Sequence, residues 1–198
     1  DAADLDLFVV AADGHVWTVA VLMIALARLL GQRRVVCVNY ILGRSALALE
    51  QPDWFTASQV IALRPVDGRA VFEALLDANP FVRRWFPNAD PASTFPHFPA
   101  GRAAIRQMAE RVLGPVDTWL ERTCRWIYER HLRHREATWP SPGQVRLSAD
   151  VLKLHTRSHR ESILARHAAL LGAAGLSAQG AGHPPAGAWP GNNSRPAD

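Results

Sequence analysis

Three apolar stretches in the first 42 residues constrain the fold of this chain more than any other feature. Leu7 to Val10 has the length of a strand, and residues 17–30 have the length of a helix that ends at Gly31. Residues 35–42 are rich in β-branched and aromatic side chains, which is typical of a second strand. A strand, a helix and a strand in this order predict a parallel pair of strands joined by a crossover helix.

The rest of the chain has mainly helical patterns. A short third strand is predicted over residues 46–50, and Thr56 to Gln59 fits a capping box at the start of a helix. The predicted helices cover residues 56–65, 69–78, 80–85, 102–134, with a bend or break at Gly114-Pro115, and 158–171. Loops are predicted over 91–99 and 140–143. The fold class predicted from these elements is α/β (α+β).

The composition is that of an ordinary soluble protein, and it sets the domain division. The 198 residues, 48% hydrophobic and 20% charged, suffice for one medium domain or two small ones. We predict an α/β part over residues 1–52, a helical domain over 53–172 and a disordered tail over 173–198, where Gly, Ala, Pro, Ser and Asn dominate.

Cysteine usage and hydropathy bear on the compartment. The two cysteines, Cys37 and Cys124, lie far apart, which argues against a disulfide scaffold and favours a reducing cytoplasm. The longest apolar run, residues 16–30, is shorter than the roughly 20 residues that a bilayer span requires. We therefore predict a cytoplasmic protein with no membrane partner.

Two carboxylates, Asp4 and Asp6, stand immediately before the first apolar run. Side chains two residues apart in a strand point to the same face, so these carboxylates are expected to converge. Two adjacent anions are costly unless a proton or a cation lies between them. The pair therefore indicates either a divalent metal site or a solvated end of the strand.

The order "ADLDLFVV" resembles the "S-D-x-D-L" element of the DNA polymerase β-like nucleotidyltransferases. Further blocks that are similar to a bacterial nucleotidyltransferase-domain family extend the resemblance over about residues 3–172; they are "VCVNYILG", "DWFTASQVIALRPVDGR", "ANPFVRRWFPNA" and "LSADVLKLH". The resemblance implies a partial nucleotidyltransferase sheet followed by a helical domain that closes over the substrate. It also implies that Asp4 and Asp6 are catalytic and bind Mg²⁺ or Mn²⁺, with a nucleoside triphosphate as substrate and a hydroxyl group as acceptor.

The sequence departs from the superfamily pattern in two places. The "G-S" or "G-G" turn that holds the triphosphate lies upstream of the aspartates, whereas this chain begins three residues before Asp4. The resemblance thus predicts an N-terminally truncated and catalytically silent chain. The third carboxylate of the superfamily is also missing, because Cys37 and Asn39 stand where an acid is expected; Asn39 could still ligate a metal, and Glu50 is the nearest acid.

Other residues carry weaker signals. His155 and His159 are four apart and could be zinc ligands, but a structural or surface pair is the better interpretation because no third ligand is apparent. Lys153, the only lysine, could contact phosphate or form a surface salt bridge. The tryptophans at 54, 85, 119 and 126 are predicted to pack in the core.

Three functions are compatible with these patterns. The first is a metal-dependent nucleotidyltransferase that acts on a small molecule or a protein. The second is an inactive nucleotidyltransferase-like interaction protein. The third is a basic helical module that binds a polyanion, since arginine is concentrated between Arg122 and Arg166. No nucleic-acid-binding signature is present, so nucleic acid is not expected as the partner of the first two.

Overall fold

The computed structural model describes residues 5–33, 35–91 and 117–176. Most of the predicted loop at 91–99, the predicted helix up to residue 116 with its bend, and the tail beyond 176 lie outside these residues. The carboxylate Asp4 lies outside them as well.

One mixed four-stranded sheet forms the centre of the fold. Its strands are β1 (Leu5–Ala11), β2 (Val36–Gly43), β3 (Val145–Leu147) and β4 (Val151–Leu154), in the spatial order β1-β2-β4-β3. Strands β1 and β2 are parallel, and β4 is antiparallel to both β2 and β3. The predicted parallel pair with its crossover helix is therefore confirmed, and the fold is mixed α and β.

Six α-helices accompany the sheet in the described residues. They are α1 (Val16–Leu29), α2 (Trp54–Ala62), α3 (Arg69–Ala78), α4 (Phe81–Trp85), α5 (Asp117–Arg133) and α6 (Arg160–Ala173). The predicted helices over 69–78, 80–85 and 158–171 are confirmed within two residues at each end. No described helix is both long and apolar enough to cross a membrane.

Two local predictions are wrong, and one hairpin was not predicted. Residues 46–50 do not form a strand, because a 3₁₀ turn at Arg44–Ala46 ends β2 and the chain then leaves the sheet. The helix predicted to start with a capping box at Thr56 instead begins at Trp54, since Asp53 is its N-cap and accepts a hydrogen bond from the Thr56 N–H at 3.0 Å. The β3–β4 hairpin lies between the predicted loop at 140–143 and the predicted helix at 158–171, where no element was predicted.

One face of the sheet packs against α1 and α5 in an apolar core. Val16, Trp17, Ile41 and Leu152 are almost fully buried there. The Trp17 indole Nε1 donates a hydrogen bond to the Ser148 carbonyl at 2.8 Å, so the buried ring leaves no polar atom unpaired. We call this side of the sheet the dry face.

Glu121 of α5 joins the two helices of the dry face. Its Oε1 accepts a hydrogen bond from the Trp17 N–H at 2.9 Å, and its Oε2 accepts one from the Thr18 N–H at 2.8 Å. These two N–H groups belong to the first turn of α1 and have no partner within the helix. A carboxylate from another helix therefore caps α1.

A second core lies beside the opposite face of the sheet and consists of α2, α3 and α4. Its buried members are Ala57, Val60, Phe72, Leu75, Leu76, Phe81 and Val82, and Phe8 of β1 packs against them. The buried Asn79 ties the segment after β2 to this core. Its Nδ2 donates to the Leu47 and Leu75 carbonyls at 2.8 and 2.7 Å, and its Oδ1 accepts from the Leu49 N–H at 2.8 Å.

The ends of the two parallel strands are joined by Asp13. Its Oδ1 accepts hydrogen bonds from the backbone N–H and the hydroxyl of Ser45, both at 2.9 Å. These bonds, the backbone bond first, lower the pKa of Asp13. A Cβ at Gly43 would lie 2.9 Å from the same oxygen, so a larger residue there would displace the Asp13 carboxylate from this position.

The prediction that four tryptophans pack in the core is correct for Trp85 alone. Trp85 packs against the second core, and Trp54 is half-buried and stacks on His167 with ring centroids 4.1 Å apart. Trp119 and Trp126 are 69% and 67% exposed, so the prediction of core packing is wrong for them. The heptad spacing does place both on one side of α5, but the opposite side, with Cys124 and Tyr128, is the one that packs against α1.

Candidate functional site

A cleft of about 410 Å³ opens beside the sheet face that is not covered by α1 and α5. Its walls come from β1, β2, β4, the start of α2, and the residues that lead into α6. Its charged and amide-bearing lining comprises Asp6, Asn39, Glu50, Gln51, Gln59, Gln144, Lys153, His155, Arg157 and Arg160. The volume lies in the range of small-molecule binding sites. We refer to this region as the cleft.

An irregularity in β2 brings two successive side chains into the cleft. Leu7 pairs with Val38, but the next residue of β1 pairs with Tyr40, so Asn39 is an extra residue in β2. Val38 and Ile41 both pack in the dry-face core, whereas Asn39 and Tyr40 both line the cleft. A bulge commonly redirects a side chain next to a functional site, and here it adds an amide to the cleft.

Asp6 is the carboxylate at the end of the cleft formed by β1, and Asn39 holds it. The Asn39 Nδ2 donates a hydrogen bond to the Asp6 Oδ1 at 2.6 Å. One N–H of the Asn39 amide is thus bonded to Asp6. The carbonyl oxygen of the same amide is the acceptor that Asn39 can offer to a ligand. The side chain predicted as a substitute for the third acid therefore does lie beside Asp6.

The side chains at this end of the cleft offer oxygen atoms, which are the type of ligand that Mg²⁺ and Mn²⁺ prefer. Mg²⁺ prefers hard oxygen ligands and is often held by one or two carboxylates, with water and substrate phosphates completing the shell. Asp6 supplies one carboxylate, and the convergence of Asp4 with it stays a prediction because Asp4 lies outside the described residues. Within the described residues no group of three or more His, Cys, Asp or Glu side chains could hold a metal ion.

Glu50, the other candidate for the third acid, has a different partner. It lines the cleft, but its Oε1 forms an ion pair with Arg146 of β3, and both side chains are about half exposed. Glu50 and Asp6 therefore do not form a common acidic cluster. The carboxylate of Glu50 serves instead to neutralise a cation at the β3 end of the sheet.

Lys153 lies on the cleft side of β4, directly opposite Tyr40 of β2. Its Nζ is 3.3 Å from the Gln51 Oε1 and 5.7 Å from the centre of the Tyr40 ring. Burial lowers the pKa of Lys153, because a desolvated ammonium group loses part of its hydration. Lys153 is therefore a half-buried cation in the cleft, and no described carboxylate forms the surface salt bridge considered from the sequence.

His155 follows Lys153 two residues later and also lines the cleft. Its ring packs edge-on against Tyr40 with centroids 5.9 Å apart. Burial lowers the pKa of His155, the positive charge of Lys153 lowers it further, and the negative charge of Asp6 opposes both. His159 is exposed just before α6, so the two histidines do not share a helix face as zinc ligands would.

Arg160 closes the wall of the cleft between α6 and α2. Its side chain is only 8% exposed and forms an ion pair with Asp53, and its Nη1 donates to the Thr56 Oγ1 at 3.1 Å. The guanidinium group also lies 5.2 Å from the centre of the Phe55 ring. Because Asp53 caps α2, this arginine fixes α6 to the start of α2.

The sequence identified several of these residues but not their arrangement. Asp6, Asn39, Glu50, Lys153 and His155 were candidates for separate reasons, and the structure places all five around one cleft. Sequence reasoning missed Tyr40 and Arg160. The sequence carries no distinct signal for these two, since Tyr40 lies in an apolar strand and Arg160 is one of many arginines.

Comparisons with known proteins give no relative: no family model, no curated protein and no solved structure matches this chain.

Proposed function

We propose that the chain is a nucleotidyltransferase of the polymerase β-like superfamily that binds a nucleoside triphosphate with Mg²⁺ in the cleft. The reaction would transfer a nucleoside monophosphate to an acceptor hydroxyl and release pyrophosphate. One observation carries this proposal: the Asp6 carboxylate, held by Asn39, faces the same cleft as the half-buried ammonium group of Lys153. A site with an acidic end and a basic end suits a metal-bound polyphosphate.

The division of labour in the cleft follows from its chemistry. Asp6, together with Asp4, would hold the metal ion, which when bound neutralises phosphate charge and aligns the reacting groups. Asn39 keeps the Asp6 carboxylate in one orientation. Nucleotidyl transfer depends mainly on positioning and electrostatic stabilisation, so fixed polar groups of this kind are what the reaction requires.

The apolar wall of the cleft offers a place for the uncharged part of a substrate. Phe55, Val60 and Leu63 line the cleft from α2 and its end, and Phe8 and Leu49 continue this surface. Binding sites for small molecules commonly combine such an apolar wall with a few placed polar groups. A nucleobase or the body of the acceptor can pack there while the phosphates extend over the sheet.

The metal part of the proposal is tested by calorimetric titration with Mn²⁺. Wild type is expected to bind Mn²⁺ saturably, and Asp6→Asn to bind it about tenfold or more weakly, since a ligating carboxylate is lost. Asp67→Asn is the matched control, because Asp67 is an exposed carboxylate outside the cleft. Equal binding by wild type and Asp6→Asn would remove Asp6 from any metal site.

Pyrophosphate release distinguishes an enzyme from an inactive nucleotidyltransferase-like interaction protein. The assay combines Mg²⁺, each of the four nucleoside triphosphates and candidate acceptors, with Asp6→Asn as the blank. Turnover that depends on Asp6 supports transfer. Nucleotide binding without turnover favours the interaction protein.

One observation favours polyanion binding as a second candidate function. Trp119 and Trp126 are exposed on the outer side of α5, where Arg122 and Arg130 are also exposed. Exposed aromatic rings between arginines can stack on bases while the cations contact phosphates. Binding of a single-stranded oligonucleotide that weakens steeply with salt, and is lost in Trp126→Ala, would support this function.

A further inference from the structure

The cations around the cleft differ in whether the protein already neutralises them. Arg160 is paired with Asp53, and Arg146 is paired with Glu50. Each of these arginines therefore has an anionic partner of its own. Such pairs leave no net positive charge for a ligand.

Lys153 is different, because no carboxylate pairs with it among the described residues. Its contacts are a neutral amide oxygen at 3.3 Å and the face of the Tyr40 ring. Removing an ammonium group from water is unfavourable unless an anion or several hydrogen bonds compensate it. One long contact to an amide and one aromatic face compensate it in part, so the group has unused capacity to bind an anion.

The position of Lys153 on the sheet relates it to Asp6. Tyr40 pairs with Lys153 on one side and with Phe8 on the other, so Lys153 stands two strands from β1 and two residues further along than Asp6. Standard strand spacing puts the two backbones about 12 Å apart, with both side chains on the cleft side of the sheet. A chain of phosphate groups can extend between side chains at that separation.

We propose that Lys153 binds the phosphate groups at the far end of a condensed phosphate, such as the pyrophosphate portion of a nucleoside triphosphate. The ammonium group supplies up to three charge-assisted N–H donors to phosphate oxygens. Arg157, an exposed residue of the same lining, adds positive charge at the mouth of the cleft. This assignment rests on the proposed function and adds an orientation for the substrate. The pyrophosphate portion of the nucleoside triphosphate would lie toward β4.

The test is a calorimetric titration with inorganic pyrophosphate in the presence of a chelator, so that no metal contributes. Wild type is expected to bind, Lys153→Gln to bind about tenfold or more weakly, and Lys153→Arg to stay within about threefold of wild type. Arg135→Gln, an exposed arginine outside the cleft, is the control for general charge and should leave binding unchanged. Melting temperatures verify that each variant is folded, and Lys153→Met repeats the test with a second uncharged side chain.

Several results would overturn the assignment. Undetectable binding by wild type, or equal affinity in wild type and both uncharged variants, excludes Lys153 as an anion site. An equal loss in Arg135→Gln would show a response to net charge alone. The proposed nucleotidyltransferase function fails separately, through Mn²⁺ binding that is insensitive to Asp6→Asn, because the pyrophosphate titration requires neither Asp6 nor a metal.

Discussion

The two faces of the sheet are built from the same strands but differ in the side chains that they present. On the dry face, Trp17, Ile41 and Leu152 are fully buried in an apolar core. On the cleft face, Asp6 and Lys153 carry charges that no oppositely charged described residue neutralises. The dry face is filled by apolar side chains, whereas the cleft face leaves polar side chains open to a pocket.

The difference originates in strand alternation and in a single extra residue. Successive side chains of a strand point to opposite faces. Leu152 therefore packs in the dry-face core, whereas its neighbour Lys153 lines the cleft. The bulge at Asn39 adds a second cleft residue without moving Ile41 out of the dry-face core. A rigid apolar layer thus supports polar side chains directly above it.

The largest effect is expected from Trp17→Ala on the dry face. The substitution creates a cavity beside Tyr128 and leaves the Ser148 carbonyl without its indole donor. A loss of about 3–5 kcal/mol in the free energy of unfolding is expected from denaturant titration. Phe55→Ala, at the half-buried wall of the cleft, should cost about half as much or less. Equal losses would show that the two faces contribute equally to stability.

Asn79→Ala should have the next largest effect, because the amide supports the edge of the cleft from the second core. The substitution removes three hydrogen bonds and leaves the backbone groups of Leu47, Leu49 and Leu75 without this partner. We expect a loss of about 2–3 kcal/mol in unfolding free energy. Asn39→Ala, which removes an amide from the open cleft, should change stability by about 0.5 kcal/mol or less. A larger loss at Asn39 than at Asn79 would contradict this division.

A smaller effect is expected from Glu121, the cap of α1. Glu121→Ala removes the acceptor of two N–H groups and should cost about 1–2 kcal/mol. Glu121→Gln retains one oxygen and should cost less than alanine, which thermal unfolding of the two variants can establish. If Glu121→Gln lowers the stability as much as Glu121→Ala, the charge of Glu121 matters more than its hydrogen-bond geometry.

The smallest effect is expected from Lys153→Met on the cleft face. Because burial lowers the pKa of Lys153 below its ordinary 10.5, its protonated form is less favourable in the folded than in the unfolded state. The variant should therefore be as stable as wild type at neutral pH, within about 0.5 kcal/mol, or slightly more stable. Wild type should gain stability relative to the variant as pH rises through the lowered pKa toward 10.5. A constant difference over that pH range would show that Lys153 is not desolvated.

The elements that were predicted correctly are those whose own residues carry a clear apolar periodicity. The β1–α1–β2 unit and the helix at 69–78 follow from apolar periodicity and were predicted almost to the residue. The β3–β4 hairpin was missed because each strand has only three or four residues, and β4 joins the sheet by pairing with β2, which lies more than 100 residues away in sequence. The domain division stays a prediction, although this hairpin joins residues of its second part to the sheet of its first part.

The site was predictable in its residue types but not in its assembly. The spacing of Asp4 and Asp6 and the isolated Lys153 are evident from the sequence alone. The bulge at Asn39 depends on the register between two strands, which the sequence of one strand does not encode. The exposure of Trp126 depends on which side of α5 meets α1, and tryptophan at heptad spacing is compatible with either side.

Titration with nucleoside triphosphates and Mg²⁺ tests most directly whether the polar face is the ligand-binding face. Wild type should bind at least one of the four nucleotides saturably. The double variant Asp6→Asn/Lys153→Gln should bind it about 100-fold or more weakly if the two ends of the cleft contribute independently. Its melting temperature should stay close to that of wild type, because neither residue belongs to a core. Undiminished nucleotide binding by the double variant, or no binding by wild type, would contradict the assignment of the cleft.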